Sequence, residues 1–177
     1  MRRPVPVAVA ICALLAGGAL VQAADGCAKF KWDVAREVAV FQQPPNSVAA
    51  GRALADAPLL ETERHYTLGL QPQENVAFVT PPSKKMLSDG AFAGVLRFRV
   101  AQAGTYRVAI DSGFWLDIVQ DGKSLTSIDF NGSQDCAGPH KIVVYELPAN
   151  ADLVLQASAA STARARLSIT RVPAAKP

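Results

Sequence analysis

Across residues 94–155 the chain runs through five closely spaced segments in which apolar and polar side chains alternate, separated by turn-forming clusters. Successive side chains leave a strand on opposite sides, so alternation with a period of two describes strands with one face in a core. Leu96, Phe98 and Val100 stand opposite Arg97 and Arg99. Tyr106, Val108 and Ile110 share a face opposite Arg107. Phe114, Leu116 and Ile118 alternate with Trp115, Asp117 and Val119. Ala103-Gly104, Asp111-Ser112-Gly113, Asp121-Gly122, Asn131-Gly132 and Pro148-Ala149-Asn150 punctuate the block. Asp121-Gly122 is the strongest of these signals, because both central positions of a two-residue hairpin turn need positive φ.

The same pattern extends outward. Residues 66–70 alternate until Pro72 ends them, and Val76 and Phe78 mark a further short strand. Strands are also expected at residues 125–130, 141–147, 153–157 and 165–172. Residues 30–41 are ambiguous: Phe30, Val34, Val38 and Phe41 recur at helical spacing, whereas Trp32, Val34, Val38 and Val40 fit one strand face. A strand over 37–41 is preferred. The Pro- and Gly-rich stretch 42–58 reads as a long connection with a short helical turn within 48–54, and residues 81–85 as a surface loop. Turns arrive every 8–12 residues with no long amphipathic helix between them. The expectation is an all-β antiparallel sandwich, jelly-roll-like, of eight or nine strands.

Only part of the 177 residues belongs to that domain. Residues 1–23 read as a signal peptide: Arg2 and Arg3, then a mostly apolar run, then Val21-Gln22-Ala23 before a cleavage point. A membrane anchor fits less well, because Pro6 and Gly17-Gly18 interrupt the run and no basic stop-transfer residues follow it. The domain is placed at residues 24–172 and a disordered tail at 173–177, with no membrane span in the mature chain. The expected location is periplasmic or secreted. Cleavage removes two Arg and no acid, so sixteen basic side chains face fifteen acidic ones, for a net charge of +1. No basic run is interleaved with aromatics, which sets nucleic acid aside.

Cys12 leaves with the signal peptide. Cys27 and Cys136 remain, and an even number in an exported chain reads as one disulfide. Lipid modification of Cys27 is the competing reading, but Ala24-Asp25-Gly26 before it lacks the Leu of a lipobox and carries an acid.

The stretch Ala103-Gly104-Thr105-Tyr106-Arg107-Val108, followed by Trp115-Leu116-Asp117-Ile118-Val119-Gln120-Asp121-Gly122, resembles the strand entries of pre-peptidase C-terminal domains and of jelly-roll carbohydrate-binding modules. Leu147-Pro148-Ala149-Asn150-Ala151-Asp152-Leu153 is similar in shape. The resemblance covers about residues 90–172 and implies a secreted β-sandwich with a binding role. The whole mature chain is also similar to a group of small exported proteobacterial proteins, some of which carry the name homogentisate dioxygenase. That name implies a non-haem iron held by two His and one carboxylate. Here the only histidines are His65 and His140, in unrelated contexts and in no ligand spacing.

Other catalytic patterns are missing. There is no Gly-x-Ser-x-Gly elbow, no Ser-x-x-Lys and no phosphate-cradling Gly loop. Asp117 and Asp129 could serve as a glycosidase pair only by chance placement. Binding has more support. If Phe114, Leu116 and Ile118 face the core, Trp115 and Asp117 point the other way, and a Trp beside a carboxylate suits a sugar platform. The alternative is that this strand is buried on both faces. Asp129, Asn131 and Asp135 gather oxygen ligands near one turn and are weak candidates for Ca²⁺, although turn chemistry alone explains them. The expected function is a non-catalytic binding module for a carbohydrate or envelope polymer. The alternatives are an envelope protein-interaction subunit and a metal-dependent enzyme.

Overall fold

The computed structural model describes residues 26–84 and 89–173. Residues 1–23, expected to be a signal peptide, Lys85 of the expected 81–85 loop and residues 174–177 of the expected tail lie outside the described residues. A short helix, α1 (Ala35–Phe41), lies ahead of the strands. These are β1 (Asn46–Ala49), β2 (Leu59–Leu60), β3 (Tyr66–Gly69), β4 (Gln71–Pro72), β5 (Phe92–Phe98) and β6 (Gly104–Ile110). They continue with β7 (Trp115–Gln120), β8 (Lys123–Ser124), β9 (Asp129–Gly132), β10 (Lys141–Leu147), β11 (Leu153–Ala160) and β12 (Arg164–Arg171). Among the described residues the count is twelve rather than eight or nine, because four two-residue and short edge segments pair without a readable alternation.

The first sheet has the order β1-β3-β12-β6-β10-β9 and the second β2-β5-β11-β7-β8, with β4 also on β5. The chain crosses between sheets at almost every step: β3, β6, β10 and β12 lie in the first, β5, β7, β8 and β11 in the second. The inner orders β3-β12-β6-β10 and β5-β11-β7-β8 are those of a jelly roll. Two edge pairings are parallel, β1 with β3 and β2 with β5, where wholly antiparallel sheets were expected. β1 lies within the long connection 42–58 and β2 directly follows it, and no local sequence signal sets the direction of either.

The central alternation holds. Leu96, Phe98, Val108, Ile110, Leu116, Ile118, Tyr145, Leu155, Leu167 and Ile169 form the buried layer between the sheets. Fully burying each such side chain is worth about 1.5–3 kcal/mol. The Asp121-Gly122 hairpin between β7 and β8 has φ of 49° and 73° at its two residues, as such a turn requires. Asn131-Gly132 is not a turn: both residues lie in β9, paired with Ile142 and Lys141.

Both sheets are also covered on their outer faces. Over the first sheet lies the N-terminal segment. Phe30, Val34 and Phe41 pack with Ala109, Ile142 and Val144, and with the Cys27–Cys136 disulfide. This is why residues 35–41 are helical rather than extended. Val34, Val38 and Phe41 fall on one helical face, and packing that face on β6 and β10 outweighs the β-propensity of Val. Glu37 turns inward, 1% exposed, pairing with Arg107 at 3.4 Å and accepting from Thr170 Oγ1 at 2.8 Å. Gly26 lets the backbone pass beside Asp135, whose carbonyl oxygen would sit 2.0 Å from an added Cβ.

Over the second sheet, Ala57, Val76 and Val79 pack on Val95, Val119 and Val154. Neither the strand expected at Val76–Phe78 nor the helical turn within 48–54 forms. Val48 belongs to β1, a 3-10 turn spans Leu54–Asp56 instead, and residues 76–84 run as an irregular strap. Among the described residues, no helix is long and apolar enough to cross a membrane.

Candidate functional site

The strap is fixed to the second sheet by polar side chains that β11 and β7 present on their outer face. Gln156 is 1% exposed. Its Oε1 accepts from the backbone N–H of Val79 at 2.6 Å and of Thr80 at 3.2 Å, and its Nε2 donates to the Thr80 carbonyl at 3.0 Å. One amide thus replaces three ladder hydrogen bonds that the irregular backbone lacks. Directly opposite Gln156 on the neighbouring strand, Asp117 is 4% exposed. It accepts from the Ser83 N–H at 3.1 Å and from the Ser83 hydroxyl.

Trp115 stands at the start of β7, half-buried, where the strap ends. Its Nε1 donates to Ser83 Oγ at 2.9 Å and to Asp117 Oδ1 at 3.1 Å. The indole is therefore held by its edge. Lys84 Nζ lies 5.2 Å from the ring centroid, and Lys141 Nζ lies 5.4 Å from it. Lys141 begins β10 in the opposite sheet, and the same ammonium is 6.0 Å from the Phe130 ring of β9. Phe130 is 65% exposed. Burial, then the charge of Lys84, holds the Lys141 ammonium below the usual lysine pKa. Beneath the site, the Tyr145 hydroxyl donates to the Leu116 carbonyl at 3.2 Å, and burial followed by the Asp117 charge raises its pKa.

The two residues singled out from sequence are thus adjacent and on the outer face. They differ in setting: Trp115 keeps part of its surface open, and Asp117 is occupied by Ser83 and the indole. The other three oxygen donors are also engaged. Asp129 pairs with Lys31, Asp135 with Lys29, and Asn131 Oδ1 accepts from the Lys31 N–H at 3.1 Å. Each partner lysine, as the first cause, holds its aspartate below the usual carboxylate pKa. Among the described residues no group of three or more His, Cys, Asp or Glu side chains could hold a metal ion.

The two histidines have unrelated partners. His65 is buried, stacked on Phe41 with centroids 4.9 Å apart, and its Nδ1–H donates to the Gln43 carbonyl at 2.8 Å. His140 binds through its backbone, donating to the Ile110 carbonyl at 2.8 Å.

Sequence reasoning missed Lys84, Lys141 and Phe130. Lys84 read as a solvated loop tip, and Lys141 and Phe130 as ordinary strand residues. Only the crossing of the chain between sheets brings them around one indole. An open groove of about 760 Å³, lined by Phe30, Trp32, Val38 and Phe41 among others, lies separately in the N-terminal cover.

No protein-family model matches the chain, and the comparison with curated proteins finds no match either.

Proposed function

We propose that this chain is a non-catalytic binding module, exported to the periplasm or beyond, that holds a carbohydrate or envelope polymer against Trp115. The observation that carries the reading is the way the indole is held. Two hydrogen bonds fix its Nε1 edge, so the ring needs no ordering when a sugar arrives, and part of its surface is open. A rigid, amphipathic ring is the residue type that stacks on the apolar face of a pyranose. Asp117 takes a different part from the one expected of it. It positions Trp115 and the strap, and the sugar hydroxyls fall to other groups around the ring. The jelly-roll strand order supports the reading as an analogy of fold, since lectin-like domains use the same arrangement.

Trp115→Ala tests this. In affinity electrophoresis against a panel of plant and bacterial polysaccharides, the parent chain should be retarded by at least one, and the variant should run free. The circular dichroism and melting temperature of the variant should stay close to those of the parent, because Trp115 lies outside the layer between the sheets. Retardation that survives Trp115→Ala, or a variant that does not fold, would overturn the reading.

A further inference from the structure

We propose that the unit held at Trp115 is an anionic sugar, its charge met by Lys84 and Lys141. This rests on the binding reading above and narrows it to a ligand class. Both ammonium groups lie over the indole, at 5.2 Å and 5.4 Å from its centroid. A neutral pyranose stacking there would have to push them away and forfeit their attraction to the ring. An anionic sugar keeps them, since each lysine can turn from the ring to a carboxylate, sulfate or phosphate on the same ligand.

The lysines are also short of partners. The seven ion pairs among the described residues use Lys29, Lys31, Arg36, Arg64, Arg99, Arg107 and Arg166, and neither Lys84 nor Lys141. The carboxylate that shares the indole with them, Asp117, is turned to Ser83 and the indole N–H. Two like charges are thus gathered at one end of the sandwich, one of them half-buried and held below its usual pKa by burial and by the other. A bound anion relieves both costs at once. Phe130, exposed and sharing Lys141 with Trp115, offers a second ring for the next unit of a chain. The site therefore spans both sheets: Trp115 from the second, Phe130 and Lys141 from the first, Lys84 from the strap. With a mature net charge of only +1, this local grouping and not overall basicity would attract the ligand.

The experiment uses the full chain in affinity electrophoresis and titration calorimetry with three polymers: alginate as a polyuronate, dextran sulfate, and neutral dextran. Alginate or dextran sulfate should bind and dextran should not, with binding weakened as salt rises from about 0.05 M to about 0.5 M. Which of the two anionic polymers binds tells carboxylate from sulfate. Lys141→Met keeps the aliphatic stem and removes the charge, and it should weaken anionic binding about fivefold or more. Lys123→Met, exposed on β8 at the other end of β7, should change nothing. Equal binding of dextran, no effect of Lys141→Met, or an equal loss with Lys123→Met would overturn the inference. If dextran binds through Trp115 alone, the binding reading stands and the anionic one falls. If no polymer of any kind binds, both fall.

Discussion

The two sheets solve one problem in different ways. Each has an outer face too apolar to leave in water, and each is covered by a segment without strand structure. Over the first sheet the cover is covalent and hydrophobic: the disulfide, α1, and the cluster of Phe30, Val34 and Phe41. Over the second it is a strap with few apolar contacts, held at Gln156 and Asp117 by side chains reaching up from the strands. In the first case the cover brings its own anchors. In the second the sheet supplies them. A cover anchored by a few hydrogen bonds opens at lower free energy than one built on a packed cluster. The candidate binding residues, Trp115 and Lys84, lie beside the weaker cover.

The largest break in this comparison comes from the disulfide. Replacing Cys27 and Cys136 by Ser frees a link across 109 residues and should cost up to about 4–5 kcal/mol of unfolding free energy. Chemical denaturation should show it as a lower midpoint, and protection of α1 amides should fall furthest. A midpoint equal to the parent's would mean that the hydrophobic cluster alone holds the first cover.

Gln156→Ala should act on the other cover. It strands two strap N–H groups and one carbonyl, at about 1–3 kcal/mol. Hydrogen exchange should speed up at residues 76–84 while α1 stays protected. Uniform loss of protection would show that the two covers form one cooperative unit.

The smallest effect is that of acid. Lys31 and Lys29 lower the folded-state pKa of Asp129 and Asp135, so these pairs stabilise above the ordinary carboxylate value of 3.8. That contribution disappears as pH falls through the lowered values. Both carboxylates are exposed, and the change should be slight. The protection factors of amides 28–32, taken against the intrinsic rate at each pH, should fall between pH 5 and pH 2.5. No difference in the disulfide-free double variant would show that the lysine pairs hold nothing.

The long strands were legible because one face of each had to be apolar, and Leu96, Phe98, Val108 and Ile118 followed that rule. The covers were not legible. Glu37, Asp117 and Gln156 are the residue types that usually mark a solvent face, and here each is buried and fully engaged. Helix α1 carried both periods at once, and only contact with Ile142 and Val144 decides between them. The short strands β1, β2 and β4 lack the length for any pattern to show. At the site, Trp115 and Asp117 were readable as a neighbouring pair on one face. Phe130 and Lys141 were not, since their closeness to Trp115 depends on which strands cross to which sheet.

The strand order also has a temporal side. β12 lies between β3 and β6, and β11 lies between β5 and β7. Each sheet thus waits for one of the last two described strands, β11 or β12, before its two halves can join. Until about residue 171 has emerged, the earlier strands have open edges facing a gap of one strand's width. Such a chain cannot finish folding piecemeal as it is made. It completes the second sheet with β11 and the first with β12, both late, and a truncation at Ser161 would keep β11 but leave the first sheet divided where β12 belongs.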